Sequence, residues 1–273
     1  MLCFPTAKIN LGLYVTEKRN DGFHSIETVF YPIAWKDALE VIEDKHSNSK
    51  TCTLHCSGIT IAGNQHDNLI YKAYTNLSAL KKLPAIHVYL HKAIPMGAGL
   101  GGGSADAAFF IKLMNEKFKL NLSDEILLKE AAKLGSDCTF FIKNEVTYAF
   151  EKGDKFLPIQ LNLSNYSIFT IYPNLHSNTK LAYSRVVPKK ATTNLIDFLT
   201  HTNPDKWKGQ LENDFEPSLF EHFPEIKKLK EKLYTHGALY ASMSGSGSAV
   251  FGVFKKNEVP AIELFGDYLY NIT

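Results

Sequence analysis

The residues with the clearest chemistry lie together, as Pro95-Met96-Gly97-Ala98-Gly99-Leu100-Gly101-Gly102-Gly103-Ser104-Ala105. Five of these eleven are glycine, and the stretch joins a β-branched, aromatic run ending at His91 to an apolar run beginning at Ala105. Glycine lets main-chain N–H groups approach a ligand closely. A helix starting directly afterwards adds unpaired N–H donors and a partial positive charge. Together these make an anion site suited to phosphate. The plainer alternative is a turn that lets a helix pack tightly on a sheet, but five glycines in seven positions exceed what such a turn needs.

The spacing can be compared with two phosphate-binding loops. A P-loop requires Gly-x4-Gly-Lys-Ser/Thr, and no lysine precedes Ser104. Gly97, Gly99 and Gly102 satisfy G-x-G-x-x-G, but the ribose-binding acid expected to end a strand about 20 residues on is missing. At that distance stand Asp124 and Glu125, which open a helix. Elsewhere, Lys8 reads from its type alone as a surface lysine on an edge strand, and Asp137 as an N-cap after Gly135-Ser136. Cys52, His55 and Cys56 invite a metal reading. Their run alternates as a strand does, and no second ligand pair with zinc-like spacing follows, so a strand is the better expectation.

The elements that must position these residues follow from periodicity. Ala7–Val15 alternates, with Ile9, Leu11, Leu13 and Val15 on one face. Residues 38–43, 52–61 and 85–91 also read as strands. Asn68–Leu80 and Ala105–Met114 are helical, and Ser123 caps a further helix that Gly135 ends. Near residue 150 the texture changes. A turn at Glu151–Asp154 precedes a strand at Tyr166–Tyr172, a helix at Pro224–Tyr234, and a strand–glycine turn–strand over 238–254. An α+β protein of two lobes is expected, residues 1–150 and 151–273.

Composition narrows the function class. The 273 residues are 45% hydrophobic and 21% charged, and a net charge of +2 is too small for a nucleic-acid surface. The apolar runs are short and broken by charge, so no membrane span is expected. The start, Met1-Leu2-Cys3-Phe4-Pro5, lacks the pattern of a secretory signal. The four cysteines, Cys3, Cys52, Cys56 and Cys138, are scattered rather than arranged as a disulfide framework. A cytoplasmic location is expected.

The glycine loop resembles the second motif of the GHMP family of small-molecule kinases, Pro-x-Gly-x-Gly-Leu-Gly-Ser/Gly-Gly-Ser. Pro5-Thr6-Ala7-Lys8-Ile9-Asn10-Leu11 is similar to that family's first motif. Ser242-Met243-Ser244-Gly245-Ser246-Gly247-Ser248-Ala249-Val250-Phe251 is similar to its third. Arg19-Asn20-Asp21-Gly22-Phe23-His24, Gly135-Ser136-Asp137-Cys138-Thr139-Phe140-Phe141 and Asn213-Asp214-Phe215-Glu216 resemble one branch, whose acceptor is a cytidine diphosphate ester of methylerythritol. Two positions depart from it: Cys138-Thr139 stands for Val-Pro, and Phe23 for the commoner Tyr.

The resemblance implies an N-terminal lobe like domain 2 of ribosomal protein S5 and a ferredoxin-like α/β sandwich as the C-terminal lobe. It implies ATP and Mg2+ as cofactors, with 95–105 around the phosphates and a small molecule as the only partner. The chain would act as a monomer or weak homodimer. Asp137 would be the base, with Lys8 stabilising charge beside it. Phe23 and Tyr183 would sandwich the cytosine, with His24 at its edge and Asn10 and Thr179 as polar contacts. Ser104 would touch a phosphate oxygen or magnesium, or cap its helix. Gly245, Ser246 and Gly247 would close near the phosphates. Neither the adenine pocket nor a magnesium ligand carries a readable mark. Three rivals stay open: another kinase of the family using mevalonate, homoserine or a sugar; a Rossmann oxidoreductase; and a non-catalytic nucleotide sensor, which would be expected to lose Lys8 or Asp137.

Overall fold

The computed structural model describes residues 1–47, 51–61, 63–177, 179–191 and 194–273. In chain order the strands are β1 (Leu2–Cys3), β2 (Thr6–Lys18), β3 (His24–Lys36), β4 (Ala38–Glu43), β5 (Cys52–Gly58), β6 (Ile86–Lys92), β7 (Thr147–Phe150), β8 (Lys155–Pro158), β9 (Tyr166–Tyr172), β10 (Tyr240–Met243), β11 (Val250–Lys255) and β12 (Leu269–Ile272). The helices are α1 (Leu69–Leu80), α2 (Gly102–Lys117), α3 (Asp124–Ala132), α4 (Ser136–Lys143), α5 (Thr179–Arg185), α6 (Leu195–His201), α7 (Glu216–His222) and α8 (Pro224–Thr235). Among the described residues no helix is long and apolar enough to cross a membrane. Packing separates two compact units, each built from non-consecutive segments. The first holds Met1–Ala7, Trp35–Met96 and Gly101–Asn144; the second holds Lys8–Ala34, Gly97–Leu100 and Glu145–Thr273.

In the first unit one sheet runs β1-β4-β6-β5, with β4 antiparallel and β5 parallel to β6. Its buried face is made by alternate residues: Leu39 and Val41 on β4, and Ile86, Val88 and Leu90 on β6. Helix α2 packs against α1, α3 and α4. It is apolar nearly all round, burying Ala105, Ala107, Ala108, Phe110, Ile111 and Met114, which suits a central helix. Asn68 starts α1 by accepting the Ile70 N–H at 2.9 Å, a side-chain N-cap.

The second unit contains the sheets β2-β3-β7-β8 and β10-β11-β9-β12. Helix α8 packs on β10 and β11 through Ile226, Leu229 and Leu233, a stripe at helical spacing. Removing each such side chain from water is worth about 2 kcal/mol, so packing rather than propensity holds the helix. The Leu13–Asn213 bridge joins β2 to the segment before α7.

Several expectations change. The 7–15 strand was expected to bury one face, yet every residue from Ala7 to Val15 is buried. Its inward polar groups are tolerated because they are hydrogen-bonded, as described below. Strand β3 was not expected; Pro32 and the unalternating His24–Phe30 hide it. Helix α3 ends at Ala132, and Gly135 instead precedes α4 in extended conformation. Ser123 stands at the N-cap of α3, but no side-chain hydrogen bond forms there.

Candidate active site

In the first unit, α2 begins on a glycine. Gly101 is left-handed, at φ 72°, and no side chain caps the turn that follows. The N-terminal N–H groups of α2 are therefore not answered by a capping side chain, and they carry the positive end of a sixteen-residue helix dipole. A Cβ at Gly102 would stand 2.8 Å from Ile94 Cγ2, so only glycine lets the helix start this close to β6. Ser104 is the third helical residue and does not cap the helix. Its hydroxyl bonds the thiol of Cys138, which burial pushes up to about 11. Asp137 lies in the first turn of α4, half-buried, where the dipole favours a carboxylate. It is not the N-cap, a position held by Gly135.

In the second unit, Gly97–Leu100 runs between β2 and the glycine turn after β10. Lys8 N–H donates to Leu100 O at 3.0 Å, and Ala249 N–H to Ala98 O at 3.0 Å. A Cβ on Gly99 (φ +77°) would lie 1.9 Å from Ser244 O, which fixes glycine there. The Gly99 carbonyl accepts Lys8 Nζ at 2.8 Å and Ser244 Oγ at 2.9 Å.

Lys8 is 3% exposed, which overturns the surface-lysine expectation. Its ammonium donates to Asn10 Oδ1 at 2.7 Å and sits 5.1 Å from the centre of the Phe30 ring. Asn10 Nδ2 donates to Thr28 Oγ1 at 2.9 Å, and that hydroxyl donates to Gly12 O at 2.5 Å. The chain of bonds orients the Asn10 oxygen toward the lysine. A buried ammonium held this way is expensive to desolvate and is pre-aimed.

The expected cytosine residues divide. His24 stacks on Tyr183, with ring centres 4.9 Å apart at 27°, and the Tyr183 ring meets Phe215 edge-on at 4.8 Å. Phe23 is 59% exposed, with Lys152 Nζ 5.2 Å over its ring. Asp21 shapes this turn by accepting the Phe23 N–H at 3.1 Å, and that bond holds its carboxyl below the usual range. Burial, helped by Lys18, lowers His24, which favours the neutral ring. Thr179 Oγ1 lies 2.9 Å from Ser246 Oγ, one helical turn before Tyr183 on α5.

Side chains given no role by the sequence reading hold these parts in place. Asn213 Nδ2 donates to Met243 O at 2.8 Å and Gly245 O at 2.9 Å, while its Oδ1 accepts the Phe215 N–H at 3.0 Å. Glu216 accepts the Met243 N–H at 2.9 Å and Ser242 Oγ at 3.0 Å. Asp214 accepts the Val15 N–H at 2.8 Å. The motif Asn213–Glu216 is thus a brace for the 242–247 turn and for β2. In the first unit Lys92, Asp37 and Asp106 form a buried ionic cluster. Its one sequence signal is a carboxylate at 106 inside an otherwise apolar helical run.

The uncapped first turn of α2 suits an anion such as a phosphate group. Among the described residues no group of three or more His, Cys, Asp or Glu side chains is arranged to hold a metal ion.

Comparison with known proteins places this architecture. The N-terminal domain model of the GHMP kinases matches residues 68–144 and the C-terminal model residues 197–266. A 4-diphosphocytidyl-2-C-methyl-D-erythritol kinase of Bacteroides fragilis is 49% identical over 258 residues, 94% of this chain and 93% of its own. The Cytophaga hutchinsonii protein of that name is 50% identical over 255 residues, 93% and 92% of the two chains. A crystal structure of 4-(cytidine 5'-diphospho)-2C-methyl-D-erythritol kinase superposes with a TM-score of 0.75 at 30% identity, covering 93% of this chain and 90% of that one. A homoserine kinase from Cytophaga hutchinsonii, at 16% identity and a TM-score of 0.64, shares the fold. With an α+β fold in common and relatives matching it over nearly its whole length, this chain belongs to the GHMP kinase family.

Proposed function

We propose that this chain transfers the γ-phosphoryl of ATP to the 2-hydroxyl of 4-diphosphocytidyl-2-C-methyl-D-erythritol, a step of the non-mevalonate isoprenoid precursor pathway. The observation that carries the substrate is the 49% identity, along 94% of the chain, to kinases of that name. The acceptor oxygen attacks the γ-phosphorus, the bond to the β–γ bridging oxygen breaks, ADP leaves, and the hydroxyl proton passes to Asp137. Transfer of this kind depends mainly on positioning and charge stabilisation.

In this reading Lys8 stabilises charge on the oxygens, and the bond network from Asn10 through Thr28 aims it. Residues 95–105 hold the phosphates, with the main chain of Gly99, Gly101, Gly102 and Gly103 in closest approach. Magnesium, entering with the nucleotide, neutralises phosphate charge when bound. His24, stacked on Tyr183, recognises the cytosine together with Phe23, while Asn10 and Thr179 contact the acceptor. Residues 1–150 serve as the ATP-binding domain and 151–273 add to the substrate site, in a cytoplasmic monomer or weak homodimer.

The test is ADP release with ATP and magnesium, offering the cytidine ester beside mevalonate, homoserine and galactose. Turnover is expected with the ester alone; turnover on another alcohol would keep the kinase and discard the substrate. Asp137→Ala should lower kcat by roughly 10²–10⁴-fold, and a variant within a few-fold of wild type would remove the base from this account.

A further inference from the structure

Behind the first turn of α2 lies a buried cluster that the reaction above leaves unused. Lys92 ends β6 and is 1% exposed. Its ammonium donates to Asp37 and, at 2.8 Å, to Asp106 Oδ2. The other oxygen of Asp37 accepts the N–H groups of Ala93 at 2.7 Å and Ile94 at 2.8 Å. The backbone entering the glycine loop is therefore tied to the same carboxylate that neutralises Lys92. A Cβ on Gly102 would stand 3.2 Å from Lys92 Nζ, so the first residue of α2 sits directly on the ammonium.

Asp106 lies one turn into α2 and is 3% exposed. Its Oδ1 has no hydrogen-bond partner among the described residues. Ionising a buried oxygen that no donor meets is unfavourable. Burial, opposed by Lys92 and assisted by Asp37, pushes Asp106 up to about 7. With one ammonium and two carboxylates, the cluster is neutral when Asp106 is protonated and carries one negative charge when it is not. A negative charge there opposes phosphate at the helix N-terminus; a neutral cluster does not.

We propose that the Lys92–Asp37–Asp106 cluster positions the first turn of α2 for the phosphoryl donor, and that Asp106 is a positioning residue that takes up a proton as the donor's phosphates bind. This rests on the reading of residues 95–105 as the donor site. Thiols, a phenol and a paired carboxylate stand on the elements around Asp106. Cys3 on β1 and Cys56 on β5 feel the charge of Asp106, and burial pushes Cys3 up to about 12 and raises Cys56 too. Of the helices packed on α2, α4 brings Cys138, raised to about 11, and α1 brings Tyr74, raised by burial. The α3 contribution, Glu130, is paired with Lys133 at 2.6 Å.

The experiment is calorimetry of ATP with magnesium binding to the whole protein at pH 7, in PIPES and in Tris. These buffers differ in ionisation enthalpy, so together they count protons. Wild type is compared with Asp106→Asn and Asp106→Ala; the nucleotide's own protonation is common to all three and cancels. Wild type should take up about half a proton more than either variant, as a carboxyl titrating at about 7 becomes fully protonated. The KM for ATP should rise about threefold to tenfold from pH 6 to pH 8 in wild type and stay flat in Asp106→Asn. The Asn variant keeps the shape, so a folding defect confined to Ala leaves the comparison intact. Equal proton uptake in wild type and Asp106→Asn overturns this inference alone. Failure of the wild type to bind ATP overturns it together with the donor site.

Discussion

The two glycine turns of this chain, 97–103 and 245–247, share a composition and differ in what their backbone groups meet. Around 245–247 the protein spends its own side chains on the main chain: Asn213 takes two carbonyls, Glu216 an N–H, and Ser177 Oγ donates to Ser246 O at 2.6 Å. In the other loop Lys8 and Ser244 take the Gly99 carbonyl, but at 101–104 no side chain caps the helix, which starts from a left-handed Gly101. A turn whose polar groups are satisfied internally acts as scaffold; one whose donors are kept from internal partners is ready for an anion. Glycine content alone does not separate the two. Their partners do.

The sharpest way to break this contrast is Gly99→Ala. Its Cβ would lie 1.9 Å from Ser244 O at a left-handed backbone position, so the clash is with main chain and cannot be relieved by a rotamer. A loss of at least about 3 kcal/mol is expected in chemical denaturation; a wild-type midpoint would mean the two segments are not packed as described. Asn213→Ala comes next. It removes the Asn213 donor from two buried carbonyls, of which Met243 O keeps only the Ser242 hydroxyl at 3.3 Å, and should lower stability by about 2–3 kcal/mol, with kcat falling as the 245–247 turn loosens.

Asp106→Asn sharpens the contrast from behind the uncapped turn. Because the folded-state pKa of Asp106 is raised from 3.8 to about 7, its contribution to stability is full below about 3.8 and is lost as pH rises toward 7. Relative to the Asn variant, wild type should weaken by about 2 kcal/mol between pH 5 and pH 7 and change little above. Denaturation midpoints of both proteins across that range decide it, and parallel curves would refute the assignment. The smallest stability effect is expected at Gly103→Ala, where the added Cβ meets only the flexible Met96 tip, 3.1 Å away. Stability should stay within about 0.5 kcal/mol while the KM for ATP rises several-fold, a split that a scaffold turn would not show.

Much of this frame is legible in the sequence, for local reasons. Asn68 announces α1 because an Asx cap is a short-range signal, and Tyr166–Tyr172 is a β-branched and aromatic run that becomes β9 over the same residues. The glycine loop is legible because its spacing is itself the signal. What escapes is long-range. Lys8 looks like a surface lysine until Asn10, Gly99 and Phe30 surround it, and only Asn10 is near in sequence. Lys92, Asp37 and Asp106 become a cluster only when the β4–β6 pairing brings the ends of those strands together. Asn213 and Glu216 stand out as a motif, yet their work as braces depends on the placement of residues 242–245, some thirty positions away.

The arrangement at Asn213 also shows how much can hang on one side-chain amide. Hydrolysis of that one side-chain amide replaces an NH2 donor with a carboxylate oxygen 2.8 Å from one carbonyl and 2.9 Å from another. Two attractions become two repulsions with almost no change in volume or mass. An acid of the same shape at this position would thus lose the brace in a molecule that still looks intact by size.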